Sequence, residues 1–268
     1  MTPMYYRMPY GFGPFPGPRQ IPGSGVRDAE WSPKRTVAAI TFDTDADALV
    51  KCLPPGFEIR IPARVAFEVQ HLREVDWLAG RDYSTFGVKI PATYRSREGE
   101  VEGDFLAVLW ENLADPIISG REELGYAKLW CDIHETSRTG TSRVFSASWL
   151  GHLFAEMTLT DLQPATATPP PRPALLHYKY LPRTGSPGYA DAAYATMTPA
   201  DNPMIVVESR LEGSGSMSFR RSSWEQLPTL FHIVNQLADI PLGPLRSTTL
   251  TFSHGGKDLS DQCILESA

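Results

Sequence analysis

At 268 residues and 42% hydrophobic content, the chain has apolar surface enough for one large β-rich domain or two small ones. A net charge of -6, with 25 Lys and Arg scattered rather than striped among aromatics, argues against a nucleic-acid-binding surface. Cys52, Cys131 and Cys263 lack CxxC spacing, no run approaches 18 apolar residues and the N-terminus lacks an apolar leader, which together predict a cytoplasmic protein without disulfides, signal peptide or membrane span.

Residues 1–30 form a Pro/Gly-rich arm whose composition opposes regular ladders. Its aromatics, Tyr5, Tyr6, Tyr10, Phe12 and Phe15, favour packing on a neighbouring subunit, so a homo-oligomer is expected. Residues 31–268 read as a single domain. Short β-like runs over 36–42, 58–61, 64–71, 84–90 and 105–110 are separated by turn chemistry, and Asp43-Thr44-Asp45 caps a short helix over 46–52. Strand signals resume over 128–134, 143–150, 152–159 and 175–181, with a polyproline-like spacer at 163–173 and a loop over 182–201. A hairpin is predicted over 205–211 and 216–220, a helix over 224–238 and a final strand over 245–252. The class is α+β and mainly β, with an antiparallel sheet folded into a barrel or double sheet and a few short helices.

The motif search is mostly negative. GxGxxG before a helix, GxxxxGKS, GxSxG and HExxH are all missing, and the six histidines show no ligand spacing, so no cofactor or metal is predicted. Lys128 stands out instead. It sits where the turn Gly-Arg-Glu-Glu-Leu-Gly-Tyr-Ala (120–127) feeds an apolar strand, and desolvation disfavours an ammonium there, which is how a lysine becomes a nucleophile near neutral pH. The ordinary alternative is a lysine whose stem lies on apolar surface while its head reaches water.

Alternation puts Trp130, Asp132 and His134 on the Lys128 face and Leu129, Cys131 and Ile133 on the other. In the preceding turn, Ser119 is a candidate cap and Gly125 a candidate stop. Glu68 shares a strand face with Ala66 and Gln70, pointing either to solvent or inward, where it must be paired or protonated. Arg35 opens the first strand, and on its own such a residue is more often at the surface than an anion clamp.

Several segments together resemble the acetoacetate decarboxylase superfamily: Phe42 to Ile59, the strand bearing Phe67-Glu68, Gly103-Asp-Phe-Leu106, Gly120-Arg-Glu through Tyr126-Ala-Lys128, Leu181 to Pro187, and Leu230-Phe231 through Leu242. The resemblance covers residues 28–255 and implies that family's β-rich fold and lyase chemistry on a small oxo acid. It places Lys128 at the imine-forming lysine, Glu68 at a pocket carboxylate and Arg35 near the substrate's acid group. Acetoacetate decarboxylase is itself the standard example of an activated lysine, so that mechanism comes with the resemblance.

Three positions depart from the pattern, one of them Ala127, where the family has a proline before the lysine. Thr85 stands where the family has a second catalytic carboxylate, and Leu129 replaces the neighbouring lysine, leaving desolvation as the main means of activating Lys128. The expected site is therefore catalytic Lys128 and Glu68, the latter moving protons if burial raises its pKa, with Arg35, Tyr126, Thr85 and Trp130 around the substrate. Tyr126 and His71 are further proton-transfer candidates. The superfamily also uses such a lysine for aldol condensation and dehydration of 2-oxo acids, and a non-catalytic small-molecule-binding barrel is the rival outside enzymes.

Overall fold

Period-two alternation dominates the chain, and strands account for most of what it builds. The computed structural model describes residues 6–7, 15–16, 30–166, 171–200, 204–257 and 259–266. In chain order the strands are β1 (Tyr6–Arg7), β2 (Phe15–Pro16), β3 (Lys34–Asp43), β4 (Phe57–Ile59), β5 (Arg64–Val75), β6 (Arg81–Ser96), β7 (Gly99–Glu111), β8 (Lys128–Trp130), β9 (Asp132–Thr139) and β10 (Ser142–Trp149). Then come β11 (His152–Pro164), β12 (Leu175–Pro182), β13 (Ala190–Thr198), β14 (Val206–Phe219), β15 (Leu245–His254) and β16 (Cys263–Leu265). The helices are α1 (Ala46–Val50), α2 (Ala114–Ser119) and α3 (Phe231–Ala238). Among the described residues no helix is long and apolar enough to cross a membrane.

The protein has the mainly β, α+β class expected, built among the described residues on one large mixed sheet of 14 strands. Strands follow one path, β16-β13-β12-β7-β6-β5-β3-β15-β14-β11-β10-β9, which does not close into a barrel. Pairing is antiparallel except along one edge of β7, where β12 pairs in parallel at Asp104 and Phe105 and β8 in parallel at Leu109 to Glu111. That shared edge is where two separate parts of the chain meet.

The core lies between the folded halves of the sheet. Phe67, Phe86, Trp110, Phe145 and Phe154 are fully buried there, with the Phe86 and Trp110 rings stacked 5.5 Å apart, and α3 adds Val234 and Leu237. Asp45 caps α1 as expected, accepting from the Asp47 amide at 3.0 Å.

Elsewhere the structure corrects the sequence reading. Residues 128–134 are two strands broken at Cys131, whose amide donates to the Glu111 carbonyl at 3.1 Å. Val206–Phe219 is one strand, β14, rather than a hairpin. Gly213 and Gly215 read as turn residues, yet a side chain at either would strike the β11 carbonyls of Thr160 and Thr158, so they mark close backbone approach. Pro228, which offers no amide proton, restricts the helix to its last part, α3. β13 runs through the expected loop, and a short β1–β2 ladder exists in the arm, the rest of which lies outside the described residues.

Candidate active site

Strand register assembles the site before any side chain is considered. Ala39, Glu68, Gly87, Leu109 and Lys128 pair in succession across β3, β5, β6, β7 and β8, forming one transverse row. Val37, Gln70, Thr85, Glu111 and Trp130 form the next. Paired residues point to the same face, so Glu68, Thr85, Glu111, Lys128 and Trp130 all lie opposite the aromatic core. Three strand spacings, about 14 Å of backbone, separate Glu68 from Lys128. Between them, a Cβ on Gly87 would stand 3.1 Å from Leu109 and 3.4 Å from Leu106, so the intervening ground is apolar.

Lys128 is 4% exposed. Its Nζ lies 2.9 Å from Glu111 Oε1 and donates to the Pro116 carbonyl at 2.9 Å, with the Tyr126 ring centroid 5.2 Å away. Glu111 is buried still more deeply. The connection from β7 to β8 creates this arrangement. β7 ends at Glu111, α2 turns the chain, and a wide helical turn at residues 120–124 follows, stopped by Gly125 at φ 84° as expected. Ser119 is the last residue of α2 and makes no side-chain cap bond to that turn. Gly120 presses on the lysine: an added Cβ would fall 2.6 Å from Nζ, so a side chain here would push the amine from its place. Arg121 fastens turn to strand by donating to the Lys128 carbonyl at 2.9 Å.

A second polar group adjoins from β12 and β13. The His177 ring centroid is 3.9 Å from that of Tyr126, and Thr198 Oγ1 lies 2.7 Å from the Tyr126 hydroxyl and 3.0 Å from His177 Nε2. Burial, reinforced by the Lys128 and Lys89 charges, pushes the His177 pKa down to about 3. It is a neutral ring at physiological pH.

Glu68 sits with Lys89 and Gln70, whose nitrogens approach its Oε1 to 2.6 and 2.5 Å. Burial alone would raise its carboxyl, but the Lys89 charge and hydrogen bond, Arg172 and Gln70 outweigh it and hold the carboxyl below the ordinary carboxylate range. The condition for proton transfer by a raised-pKa Glu68 is not met, and Glu68 rests as an ionised acceptor. Asp104, further along the face, is shifted the other way: burial raises its carboxyl despite Lys89.

Of the expected residues, Lys128, Tyr126, Thr85, Trp130 and Glu68 share this face and its neighbourhood. Arg35 stands apart, donating to the Gly255 carbonyl and lying four positions along β3 from Ala39, about 13 Å at the strand rise. His71 projects to the opposite face, bonds Ser84 Oγ at 2.7 Å and approaches Phe145. Glu111, Lys89 and His177 were not anticipated. Glu111 did leave a signal, as the charge ending the apolar run Phe105–Trp110, and it stands directly opposite Thr85, one strand from where the family pattern has its carboxylate.

Comparison with known proteins agrees with this architecture. The family described as Acetoacetate decarboxylase (ADC) matches residues 7–242. Over 99 residues the chain is 32% identical to an acetoacetate decarboxylase of Clostridium botulinum (strain Eklund 17B / Type B), a stretch covering 35% of this chain and 38% of that relative's length. In fold it is similar to the crystal structure of acetoacetate decarboxylase from Legionella pneumophila subsp. pneumophila str. Philadelphia 1, with TM-score 0.64 and 18% identity over 92% of this chain and 91% of that one. It is similar too to the enduracididine biosynthesis enzyme MppR complexed with pyruvate, with TM-score 0.64 and 18% identity over 86% and 90% of the two chains. With its matched segment spanning nearly the whole sheet, the chain belongs to the acetoacetate decarboxylase family.

Proposed function

We propose that the protein is a Schiff-base-forming lyase acting on small oxo acids, with Lys128 forming the imine. The observation that carries this reading is the Lys128–Glu111 pair, 2.9 Å apart and almost wholly excluded from water. Passing one proton from Nζ to Glu111 removes both charges, and desolvation makes that neutral pair accessible as it would not be at the surface. The neutral amine then adds to the substrate carbonyl. Glu111, now a carboxylic acid, returns its proton to the hydroxyl of the carbinolamine, water leaves, and the resulting cationic imine faces the Glu111 carboxylate. That imine is the electron sink for cleaving or making the adjacent carbon–carbon bond. Leu106 and Leu109 supply the apolar ground, while Lys89 offers a cation on the same face for the substrate's acid group, a part Arg35 is too remote to play.

Within this class two outcomes compete. Carbon dioxide loss from a 3-oxo acid follows the family name. Aldol-type chemistry with dehydration on a 2-oxo acid such as pyruvate draws support from Thr85 and Leu129, which depart from the decarboxylase pattern, and from the fold shared with MppR, seen with pyruvate. Incubation with acetoacetate or pyruvate followed by borohydride should leave a covalent adduct on Lys128, read by mass spectrometry. No adduct with any oxo acid would overturn the reading in favour of a binding protein. Trapping of pyruvate without carbon dioxide release from acetoacetate would select the aldol branch.

A further inference from the structure

The hydrogen-bonded group around His177 can be oriented from one end. Gln262 Nε2 lies 2.8 Å from the Leu124 carbonyl and 3.1 Å from Thr196 Oγ1. A carbonyl only accepts, so this end of the amide is the NH2 and the other, 2.6 Å from Thr198 Oγ1, is an acceptor. The single Thr198 proton therefore goes to Gln262. Only lone pairs remain on Thr198 Oγ1, so its other neighbours must donate to it: the Tyr126 hydroxyl, and Nε2 of His177. A neutral histidine that donates from Nε2 carries a bare lone pair on Nδ1. Among the described residues no hydrogen-bond partner reaches His177 Nδ1, although the residue is 0% exposed.

A buried acceptor left without a donor is costly, and a ligand bearing that donor recovers the loss while its analogue without one does not. The lysine site lies next to it. The Tyr126 ring neighbours both the His177 ring and Lys128 Nζ, and β12, which carries His177, shares the β7 edge with β8. We infer that His177 is a specificity-determining acceptor of the Lys128 site, its Nδ1 taking a hydrogen bond from a hydroxyl or N–H group on the oxo acid. The favoured substrates are then oxo acids that carry such a donor, rather than acetoacetate or pyruvate themselves. Removing a proton is a different task, and burial together with the Lys128 and Lys89 charges opposes a charged imidazolium. The inference rests on Lys128 forming the imine.

Pyruvate and 3-hydroxypyruvate, which differ by one hydroxyl, test it in the full chain by cyanoborohydride trapping at Lys128. Wild type should reach half-maximal trapping at roughly tenfold lower concentration of 3-hydroxypyruvate. His177→Gln keeps a donor toward Thr198 but removes the Nδ1 acceptor, and should bring the two acids together. His177→Asn, which holds a polar atom near the Nδ1 position, should keep part of the preference. Equal trapping by wild type overturns the inference and leaves imine formation standing, whereas no adduct with either acid overturns the imine reading. Nitrogen-15 spectra of histidine-labelled wild type decide the inference without chemistry or a variant. A protonated Nε2 and a bare Nδ1 that responds to 3-hydroxypyruvate are expected, and a protonated or unresponsive Nδ1 would overturn it.

Discussion

Strands β5, β6 and β7 carry two unlike faces on one backbone. On the inner face Phe67, Val69, Phe86, Val88, Val108 and Trp110 are all buried to within 4%. On the other, the same strands carry Glu68, Gln70, Thr85, Lys89 and Glu111. Charges at alternate positions ordinarily announce a wetted face, and here they do not. The Lys128 and Glu111 side chains are 5% and 1% exposed, and those of Lys89 and Glu68 17% and 18%. A face prepared for chemistry differs from a wetted one in that its charges are matched pair by pair, because an unmatched charge at such depth is prohibitively costly.

The two faces should answer mutation in opposite ways, and the largest effects break the comparison if they do not. Trp110→Ala removes a fully buried ring stacked on Phe86 and should cost about 3–5 kcal/mol in denaturant unfolding. Replacing Lys128 by Met and Glu111 by Leu together removes both members of a buried pair, and such replacements are neutral or stabilising by about 1–4 kcal/mol. The double variant should therefore keep its fold while losing all adduct formation. A loss of stability comparable to that of Trp110→Ala would make the pair a structural brace instead.

How much of this was legible follows from how far apart in sequence the determinants lie. Lys128 was visible because its turn, its glycine stop and its apolar strand are consecutive, and Gly125 ends the turn as read. Alternation grouped Glu68 with Ala66 and Gln70 but left open whether that face was wetted or inward, and its lowered pKa depends on Lys89, a partner one strand over that alternation cannot identify. Arg35 was placed by resemblance alone, and its local contact, the 255 carbonyl, comes from the far end of the chain. His177 was invisible, since its significance arises only when residues 126, 177, 198 and 262 meet. β13 escaped because Ala190–Thr198 is rich in alanine, which carries little strand signal.

Acidification acts on a buried histidine of each face, and most strongly on His177. Burial, then Lys128 and Lys89, depress the folded-state pKa of His177 from 6.5 to about 3, so between those values the unfolded chain binds a proton that the folded one refuses. Stability from this group is complete above pH 6.5 and declines as pH falls toward 3, amounting to about 2 kcal/mol lost by pH 5. His177→Gln should flatten the stability profile over that range in part, because His71 on the core face, whose pKa burial also lowers, keeps its own share of the decline. A variant as pH-sensitive as wild type would mean that other groups drive the decline.

The smallest expected effect lies with Glu68 and has a different pH window. Its folded-state carboxyl is held below 4.5, so the stability it contributes is complete above pH 4.5 and is lost as pH falls through the lower folded value. Asp104, raised above 3.8, acts with the opposite sign, since protonation relieves a buried charge and favours the folded state as pH falls. Each carboxyl partly hides the other in a simple acid titration. Glu68 is also among the groups that raise Asp104, so Glu68→Gln relaxes the second group while deleting the first. Unfolding free energies of wild type, Glu68→Gln, Asp104→Asn and the double variant, compared between pH 6 and pH 3, separate the two. In the Asp104→Asn background the cost of Glu68→Gln should shrink steadily below pH 4.5, and a cost that stays constant would show Glu68 acting through packing rather than charge.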